Sequence, residues 1–229
     1  MNTSKRLCLL AFVLLLAAPA RGQRVSILGD SYSTYEGRIP KGNAVWYKEP
    51  ANLSKTDVTS ADQTWWSLLV KECGYTLVTN DSYSGSTISF TGYHQNDYSD
   101  RSFITRLPRL GNPDIILIFG CTNDSWAGVE VGSFKYEGIR REDLYTYRPA
   151  LAWLLAYARM LHPDAAIYFI INDGLRDEIT QSTVTICSHY GIPYIQLHDI
   201  DKMAGHPSVL GMRQIAAQVK EGLAGAKTQ

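Results

Sequence analysis

The sequence predicts an α/β protein, a three-layer α/β/α sandwich around a mainly five-stranded parallel sheet. Short and almost wholly apolar segments alternate with longer segments whose apolar residues recur at helical spacing. Strands that are apolar along their whole length are typical of a parallel sheet that helices cover on both faces. No repeat, low-complexity tract or linker interrupts the alternation between residues 23 and 226. We therefore expect one domain.

Each predicted element has a recognisable pattern. The predicted strands cover residues 24–28, 75–80, 114–119, 165–171 and 192–197. The predicted helices cover residues 63–74, 141–163, 177–191 and 208–225. Glycine ends the first and third helices, at Gly74 and Gly191, and Pro163 stops the second. We expect Pro149 to disturb the second helix, because an interior proline removes a backbone hydrogen bond.

The first 22 residues have the pattern of a secretory signal peptide. Lys5 and Arg6 supply positive charge, an apolar run follows, and small residues around Ala20 end it. The apolar run is too short for a comfortable transmembrane span. The pattern predicts a secreted or periplasmic protein without stable membrane insertion after cleavage. An uncleaved membrane anchor is the alternative.

The composition excludes several classes of function. Lysine plus arginine and aspartate plus glutamate both total 22, so the formal net charge is zero, and a nucleic-acid-binding surface is not expected. Three widely spaced cysteines follow the signal peptide, at Cys73, Cys121 and Cys187. An odd number without C-x-x-C spacing is no disulfide framework and no structural zinc site, although one bridge remains an alternative to three thiols.

Chemically active residue types follow four of the predicted strands. The segments are GDSYS (29–33), NDSYSGST (80–87), GCTND (120–124) and HDIDKMAGHP (198–207). Open parallel sheets bind ligands outside the carboxyl ends of their strands, so these segments should share one rim. Together they offer a hydroxyl, a glycine turn, an Asn-Asp pair and a histidine. Acyl transfer needs such a set: a nucleophile, a base and donors for an oxyanion.

In this order, the four segments resemble the sequence blocks of the SGNH/GDSL hydrolase family. The resemblance spans nearly the whole mature chain and implies a flavodoxin-like SGNH hydrolase domain over residues 23–229. It implies that Ser31 is the nucleophile and that His206 is the general base. It also implies an oxyanion hole made by the backbone N–H groups of Ser31 and Gly85 and by the side chain of Asn123. The implied chemistry requires no cofactor and no metal.

One departure from the family concerns the acid that orients the histidine. The family usually has an aspartate three residues before the histidine, where this chain has Met203. We expect Asp201 to complete a Ser-His-Asp triad if the intervening loop bulges. A backbone carbonyl near Met203 or Ala204, which would leave a Ser-His dyad, is an alternative. Asp199 is another.

A second departure is Cys121, which occupies a glycine position of the third block, with Gly120 one residue earlier. We interpret Cys121 as a buried packing thiol and not as a nucleophile. The other candidates also have structural interpretations. Ser31 could cap the next segment, Gly85 could supply a positive φ, and Asn123 could bond its own backbone.

The histidines and aspartates of residues 198–206 could also suggest a metal site. The adjacent residues His198 and Asp199 should point to opposite faces of a strand, however, and no other cluster of ligands completes a site. We predict no metal.

Three long loops should surround the nucleophile with aromatic and polar side chains: Trp46 and Tyr47 in the first, Phe90, Tyr93, His94 and Tyr98 in the second, and Trp126, Phe134 and Tyr136 in the third. This mixture suits a sugar ring with a small acyl group better than a long acyl chain, which needs an aliphatic groove. The sequence therefore predicts a secreted serine esterase that removes short acyl groups, acetyl above all, from a carbohydrate, with a small molecule or a glycan ester as its partner. A lipid esterase or lysophospholipase, a catalytically silent glycan-binding protein and an acyltransferase are the alternatives.

Overall fold

The sheet at the centre of the fold is wholly parallel and has the strand order β2-β1-β3-β4-β5. The computed structural model describes residues 22–226, so the predicted signal peptide lies outside the described residues except for Gly22. The strands are β1 (Arg24–Gly29), β2 (Thr76–Ser82), β3 (Ile115–Gly120), β4 (Ala166–Ile171) and β5 (Tyr194–Gln196). The predicted three-layer α/β fold is confirmed.

Helices cover both faces of the sheet. They are α1 (Trp65–Cys73), α2 (Phe103–Arg106), α3 (Thr122–Trp126), α4 (Tyr147–Leu161), α5 (Asp177–His189) and α6 (Val209–Ala226). The first and last helices pack on one face, and α2, α4 and α5 pack on the other. None of the helices within residues 22–226 is long and apolar enough to cross a membrane.

The middle strand β3 shows why the strands had to be apolar throughout. Its odd-numbered residues Ile115, Leu117 and Phe119 join the core beneath α1 and α6. Its even-numbered residues Ile116 and Ile118 join the core beneath α2, α4 and α5. All five are at most 2% exposed. Since alternate side chains point to opposite faces, a strand buried on both faces has no polar position.

The structure corrects the helix predicted over residues 141–163. Residues Arg141–Tyr145 form a separate 3₁₀ helix, and α4 begins only at Tyr147. Pro149 therefore lies in the first turn of α4, where its missing N–H has no partner to lose, and the expected disturbance does not arise. The three cysteines Cys73, Cys121 and Cys187 are free thiols.

A short hairpin between β5 and α6 was not predicted. It pairs β6 (Lys202–Met203) with β7 (His206–Pro207) in antiparallel register, so that Met203 faces His206. Ala204 and Gly205 form its two-residue turn with φ angles of 46° and 78°. Two successive positive φ angles are typical of the type I′ turn that closes tight hairpins. The hairpin carries His206 to the rim of the sheet.

Candidate active site

Ser31 lies on a single 3₁₀ turn directly after β1. A Cβ atom at Gly29 would come within 2.5 Å of the Ser82 hydroxyl and 2.7 Å of Ser33, so the chain can turn here only with glycine. The carboxylate of Asp30 accepts a 3.0 Å hydrogen bond from the Tyr32 N–H and so caps the turn. The turn holds Ser31 in a fixed position, with only 2% of its surface exposed.

The structure brings His206 to Ser31. The Nε2 atom of His206 lies 2.9 Å from the Ser31 hydroxyl oxygen, although the two residues are 175 positions apart in the sequence. A hydroxyl in hydrogen-bonding contact with an imidazole is the arrangement in which a base activates a serine nucleophile.

Two buried tyrosines hold the histidine hairpin in place. The Tyr32 hydroxyl donates to the Gly205 carbonyl at 2.7 Å, and the Tyr47 hydroxyl donates to the Pro207 carbonyl at 2.9 Å. Burial raises the pKa of both phenols well above the ordinary value, so both hydroxyls stay protonated and continue to donate. Both carbonyls adjoin His206, so the two hydrogen bonds fix the backbone that carries the base.

The structure does not bring Asp201 to His206. The carboxylate of Asp201 accepts a hydrogen bond from the Ser208 hydroxyl, and Ser208 in turn accepts from the Gly211 N–H at 3.1 Å, which caps α6. The Nδ1 atom of His206 instead lies 3.2 Å from the Ala204 carbonyl oxygen. The expected bulge does not form, because the intervening residues are taken up by the tight hairpin. The observed geometry is therefore a Ser-His pair whose base is oriented by a backbone carbonyl.

Asp199, the other expected candidate, is also directed elsewhere. Asp199 is 94% exposed, and its carboxylate lies 3.0 Å from Nδ1 of His198, which is itself 75% exposed. Among residues 22–226, no group of three or more histidine, cysteine, aspartate or glutamate side chains is placed to hold a metal ion.

Aromatic rings surround His206. The indole of Trp46 stacks on the imidazole with the ring centroids 3.5 Å apart and the planes at 10°, while Tyr32 and Trp126 approach at 5.3 Å and 5.7 Å. The pKa of His206 is lowered to about 4, chiefly by burial; the hydrogen bond to Ala204 opposes this shift and the positive charge of Lys202 adds a smaller lowering. At neutral pH the imidazole is uncharged, which is the state that can accept a proton from Ser31.

The predicted oxyanion donors follow three neighbouring strands: Ser31 follows β1, Gly85 follows β2 and Asn123 follows β3. Gly85 has a φ of 84°, a left-handed conformation that favours glycine. Asn123 lies in the first turn of the short helix α3, and its amide nitrogen donates to the Ser86 carbonyl at 2.9 Å. The amide thereby ties α3 to the loop that carries Gly85. Within the described part of the chain, the backbone N–H groups of Ser31 and Gly85 have no protein acceptor, so both remain available to a ligand.

Tyr93 orients the amide of Asn123. Its hydroxyl donates a 2.8 Å hydrogen bond to the Asn123 Oδ1 atom. Because the oxygen is occupied in this way, the amide nitrogen is directed at the Ser86 carbonyl. The sequence marked Tyr93 only as a loop aromatic, since nothing in its spacing indicated a contact with a residue 30 positions away.

A fully buried arginine, Arg106, stabilises the loop that carries Gly85 and Ser86. Arg106 donates to the Ser86 hydroxyl at 2.9 Å and to the Asp81 carbonyl, and it lies 3.6 Å from the Asp81 carboxylate. Burial lowers the pKa of Arg106 to about 10, so the guanidinium remains charged at neutral pH. Sequence reasoning missed this residue, because an arginine beside apolar neighbours on a short helix reads as a surface residue.

Two further carboxylates lie buried beneath the site. Asp124 accepts hydrogen bonds from the N–H groups of Ile88 and Ser89 at 2.8 Å and 3.0 Å, and burial raises its pKa to about 6. Burial raises the pKa of Asp30 further, to about 7. Both hold loops of the site in place and neither contacts the space in front of Ser31.

Cys121 is a packing residue in a left-handed backbone conformation. It is 1% exposed, its φ is 66°, and burial raises its pKa well above the ordinary value, so it carries no thiolate. The positive φ gives a physical reason for the glycine that the SGNH/GDSL family usually has at this position.

The chain is similar to known proteins along most of its length. The sequence model of the GDSL-like lipase/acylhydrolase family matches residues 23–223. A GDSL-like lipase family protein from Bacteroides ovatus is 54% identical, with a TM-score of 0.87 over 89% of this chain and 99% of its own. A second, from Bacteroides uniformis, is 53% identical, with a TM-score of 0.87 over 89% of this chain and 96% of its own.

More distant structures share the fold alone. An acetyl xylan esterase from the rumen bacterium Butyrivibrio proteoclasticus is 17% identical, with a TM-score of 0.56 over 92% of this chain and 66% of its own. No curated protein is similar enough to this sequence to count as a match.

Proposed function

This chain belongs to the GDSL-like lipase/acylhydrolase family and is an ester hydrolase, and we propose that it removes short acyl groups, acetyl above all, from a carbohydrate outside the cytoplasm. The observation that carries the proposal is the 2.9 Å contact between Ser31 and a neutral His206, in a site where the backbone N–H groups of Ser31 and Gly85 have no acceptor among the described residues. A nucleophile, a base and donors in this arrangement are the requirements of ester hydrolysis.

The proposed reaction has two steps. In the first, Nε2 of His206 takes the proton of Ser31 as the serine oxygen bonds to the ester carbonyl carbon. The oxyanion that forms accepts hydrogen bonds from the backbone N–H groups of Ser31 and Gly85 and from the amide of Asn123. Collapse breaks the ester bond, and His206 returns the proton to the leaving alcohol. In the second step, water attacks the acyl-serine with His206 again as base, and the acid leaves.

The base works here without a carboxylate. The hydrogen bond from Nδ1 to the Ala204 carbonyl requires the proton to be on Nδ1, which leaves the lone pair of Nε2 directed at Ser31. A carbonyl dipole stabilises the transient imidazolium less than a full negative charge would. The dyad should therefore rely more heavily on its oxyanion donors.

The surroundings of Ser31 support a small acyl group on a sugar. Ser31 is 2% exposed, and Trp46 and Trp126 flank the base, so aromatic rings lie near an almost fully covered nucleophile. Trp126 is 43% exposed, although large apolar side chains are usually buried. Exposed aromatic faces pack well against sugar rings. The fold is compatible with deacetylation, since one distant relative is an acetyl xylan esterase.

The test is ester hydrolysis by the mature chain, with p-nitrophenyl acetate and p-nitrophenyl octanoate as substrates. We expect acetate to be the better substrate, and Ser31→Ala or His206→Ala to lower kcat by at least about 10³-fold. Ser188→Ala, on the exposed end of α5, is the matched control and should keep full activity. A folded protein whose acetate turnover does not depend on Ser31 would exclude the mechanism. Preference for octanoate would exclude the short acyl group and favour a lipid esterase.

A further inference from the structure

A small cavity adjoins the proposed active site on the side of Trp46. It has a volume of about 180 Å³ and is lined by Trp46, Lys48, Asn52, Lys55 and Thr56. The proposed mechanism uses none of the other four lining residues, which are Lys48, Asn52, Lys55 and Thr56. The cavity is therefore a separate compartment beside the reacting atoms.

Trp46 connects the cavity to the catalytic base. One face of its indole stacks on His206 with the centroids 3.5 Å apart. The ammonium group of Lys55 lies 6.0 Å from the centroid of the same indole. Because the imidazole already occupies one face, Lys55 must approach the other. A group bound in the cavity is thus separated from His206 by the indole ring of Trp46. A single sugar unit is long enough to span this separation.

The polar side-chain groups of the cavity wall that remain free to bind a ligand are donors. Among the described residues, neither Lys48 nor Lys55 forms an ion pair, in contrast to Lys135, Lys202 and Lys220, which each contact a carboxylate. The amide oxygen of Asn52 is occupied by Ser54, which leaves the amide nitrogen of Asn52 as the free group. The Thr56 hydroxyl accepts from the Val58 N–H, which leaves its proton to donate.

Nearby acids do not cancel this charge inside the cavity. Asp57 accepts a 2.8 Å hydrogen bond from the N–H of Val209 at the start of α6, and neither it nor Glu49 lines the cavity. Two lysines, an amide N–H and a hydroxyl thus line one small space. Such a set of donors is complementary to an anion.

We propose that this cavity binds an anionic substituent, the carboxylate of an acidic sugar, on the glycan whose ester reaches Ser31. The inference rests on the proposed function for the identity of the ligand as a glycan, and it adds that the preferred glycan is acidic. The carboxylate contacts Lys48 and Lys55, while the sugar ring that carries it packs beside Trp46.

The test compares two ligands that differ only in charge. They are monoacetylated methyl glucuronoside and monoacetylated methyl glucoside, titrated by NMR into Ser31→Ala protein, so that the answer does not depend on turnover. An exposed ion pair contributes little, and two lysines together should make the acidic ligand bind about 5-fold more tightly at low salt. The preference should shrink at 0.5 M NaCl, because screening weakens exposed charge pairs.

Variants of the two lysines complete the test. In the Ser31→Ala background, Lys48→Ala/Lys55→Ala should reduce the ratio of the two dissociation constants to about one, while Lys48→Arg/Lys55→Arg should retain it. Lys71→Ala, an exposed lysine on α1, is the matched control and should leave the ratio unchanged. Equal binding of the two ligands, or a preference that survives the double alanine change, would overturn the proposal. Turnover of p-nitrophenyl acetate by the unmodified protein decides the proposed function separately.

Discussion

The Nδ1 atom of His206 lies 3.2 Å from the carbonyl oxygen of Ala204, two residues earlier in the same hairpin. Ala204 is the first of the two central residues of the type I′ turn, and this turn places its carbonyl beside the imidazole of His206. The group that orients the base is thus a backbone carbonyl of the same hairpin. The side chain at position 204 takes no part in this contact.

The first prediction concerns Asp201→Asn. We expect kcat on p-nitrophenyl acetate to stay within about 3-fold of the unmodified value, whereas loss of the acid from a true triad lowers kcat by roughly 10⁴-fold. The carboxylate serves Ser208 and the start of α6, so the variant should instead lose about 1 kcal/mol of unfolding free energy. Steady-state kinetics and urea unfolding measure the two effects.

Ser208→Ala is the control for this prediction. It removes the hydroxyl between Asp201 and Gly211 and should cost similar stability, again with nearly full kcat. A drop of 10³-fold or more in Asp201→Asn alone would show that the carboxylate moves to His206 during the reaction, and the dyad would be wrong.

The second prediction is the pH dependence of kcat/KM. The base must be neutral to accept a proton, and the buried His206 has a pKa of about 4, against 6.5 for an ordinary histidine. We expect the acid limb of the profile to lie near pH 4. Lys202→Gln should move the limb to higher pH, since the charge of Lys202 lowers the pKa of His206. A limb near 6.5 in both proteins would contradict the assigned environment.

The same shift makes His206 relevant to stability. Between about pH 4 and 6.5 the unfolded chain binds a proton at this histidine and the folded chain does not. Stability therefore rises with pH across this window and is lost as the pH falls toward 4. His206→Gln should show a flatter dependence in urea unfolding between pH 4.5 and 7.

The sequence was sufficient to predict the five strands, because strands buried on both faces, such as β3, leave a continuous apolar run in the sequence. The hairpin escaped prediction, since β6 and β7 have two residues each and leave no periodic pattern. The orientation of Asp201 could not be predicted for the same reason. It depends on the hairpin turn at Ala204 and Gly205, and alanine at the first of these positions does not indicate a turn with a positive φ. The burial of Arg106 could not be predicted either, because it depends on contacts with residues that are distant in the sequence.

The third prediction concerns Tyr93→Phe. The phenol keeps its proton at working pH, since burial raises its pKa to about 12, and it orients the amide of Asn123. Without it the amide can rotate, so kcat should fall about 10-fold, part of the roughly 10²–10³-fold that loss of one oxyanion donor costs. KM should change little, because the contact acts on the transition state.

A double-mutant cycle with Asn123→Ala tests whether Tyr93 acts through Asn123. Tyr93→Phe should lower kcat no further when Asn123 is already alanine, because the group that it orients is gone. Fully additive effects of the two changes would show that Tyr93 acts by another route, such as direct contact with the substrate.

The fourth prediction concerns Asp30→Asn and the pH dependence of stability. Burial raises the pKa of Asp30 to about 7 from the ordinary 3.8, so between these values the folded chain holds a proton that the unfolded chain has lost. Stability from this group is therefore present at low pH and is lost as the pH rises toward 8.

Asparagine has the same shape and no charge, and it can still accept the hydrogen bond from the Tyr32 N–H. The unfolding free energy of Asp30→Asn relative to the unmodified protein should thus increase between pH 5 and pH 8, by on the order of 2 kcal/mol. Urea unfolding at the two pH values measures this difference. Asp124 is present in both proteins, so its own raised pKa affects both alike. A difference that does not change with pH would mean that the Asp30 carboxylate is already charged in the folded protein at pH 5.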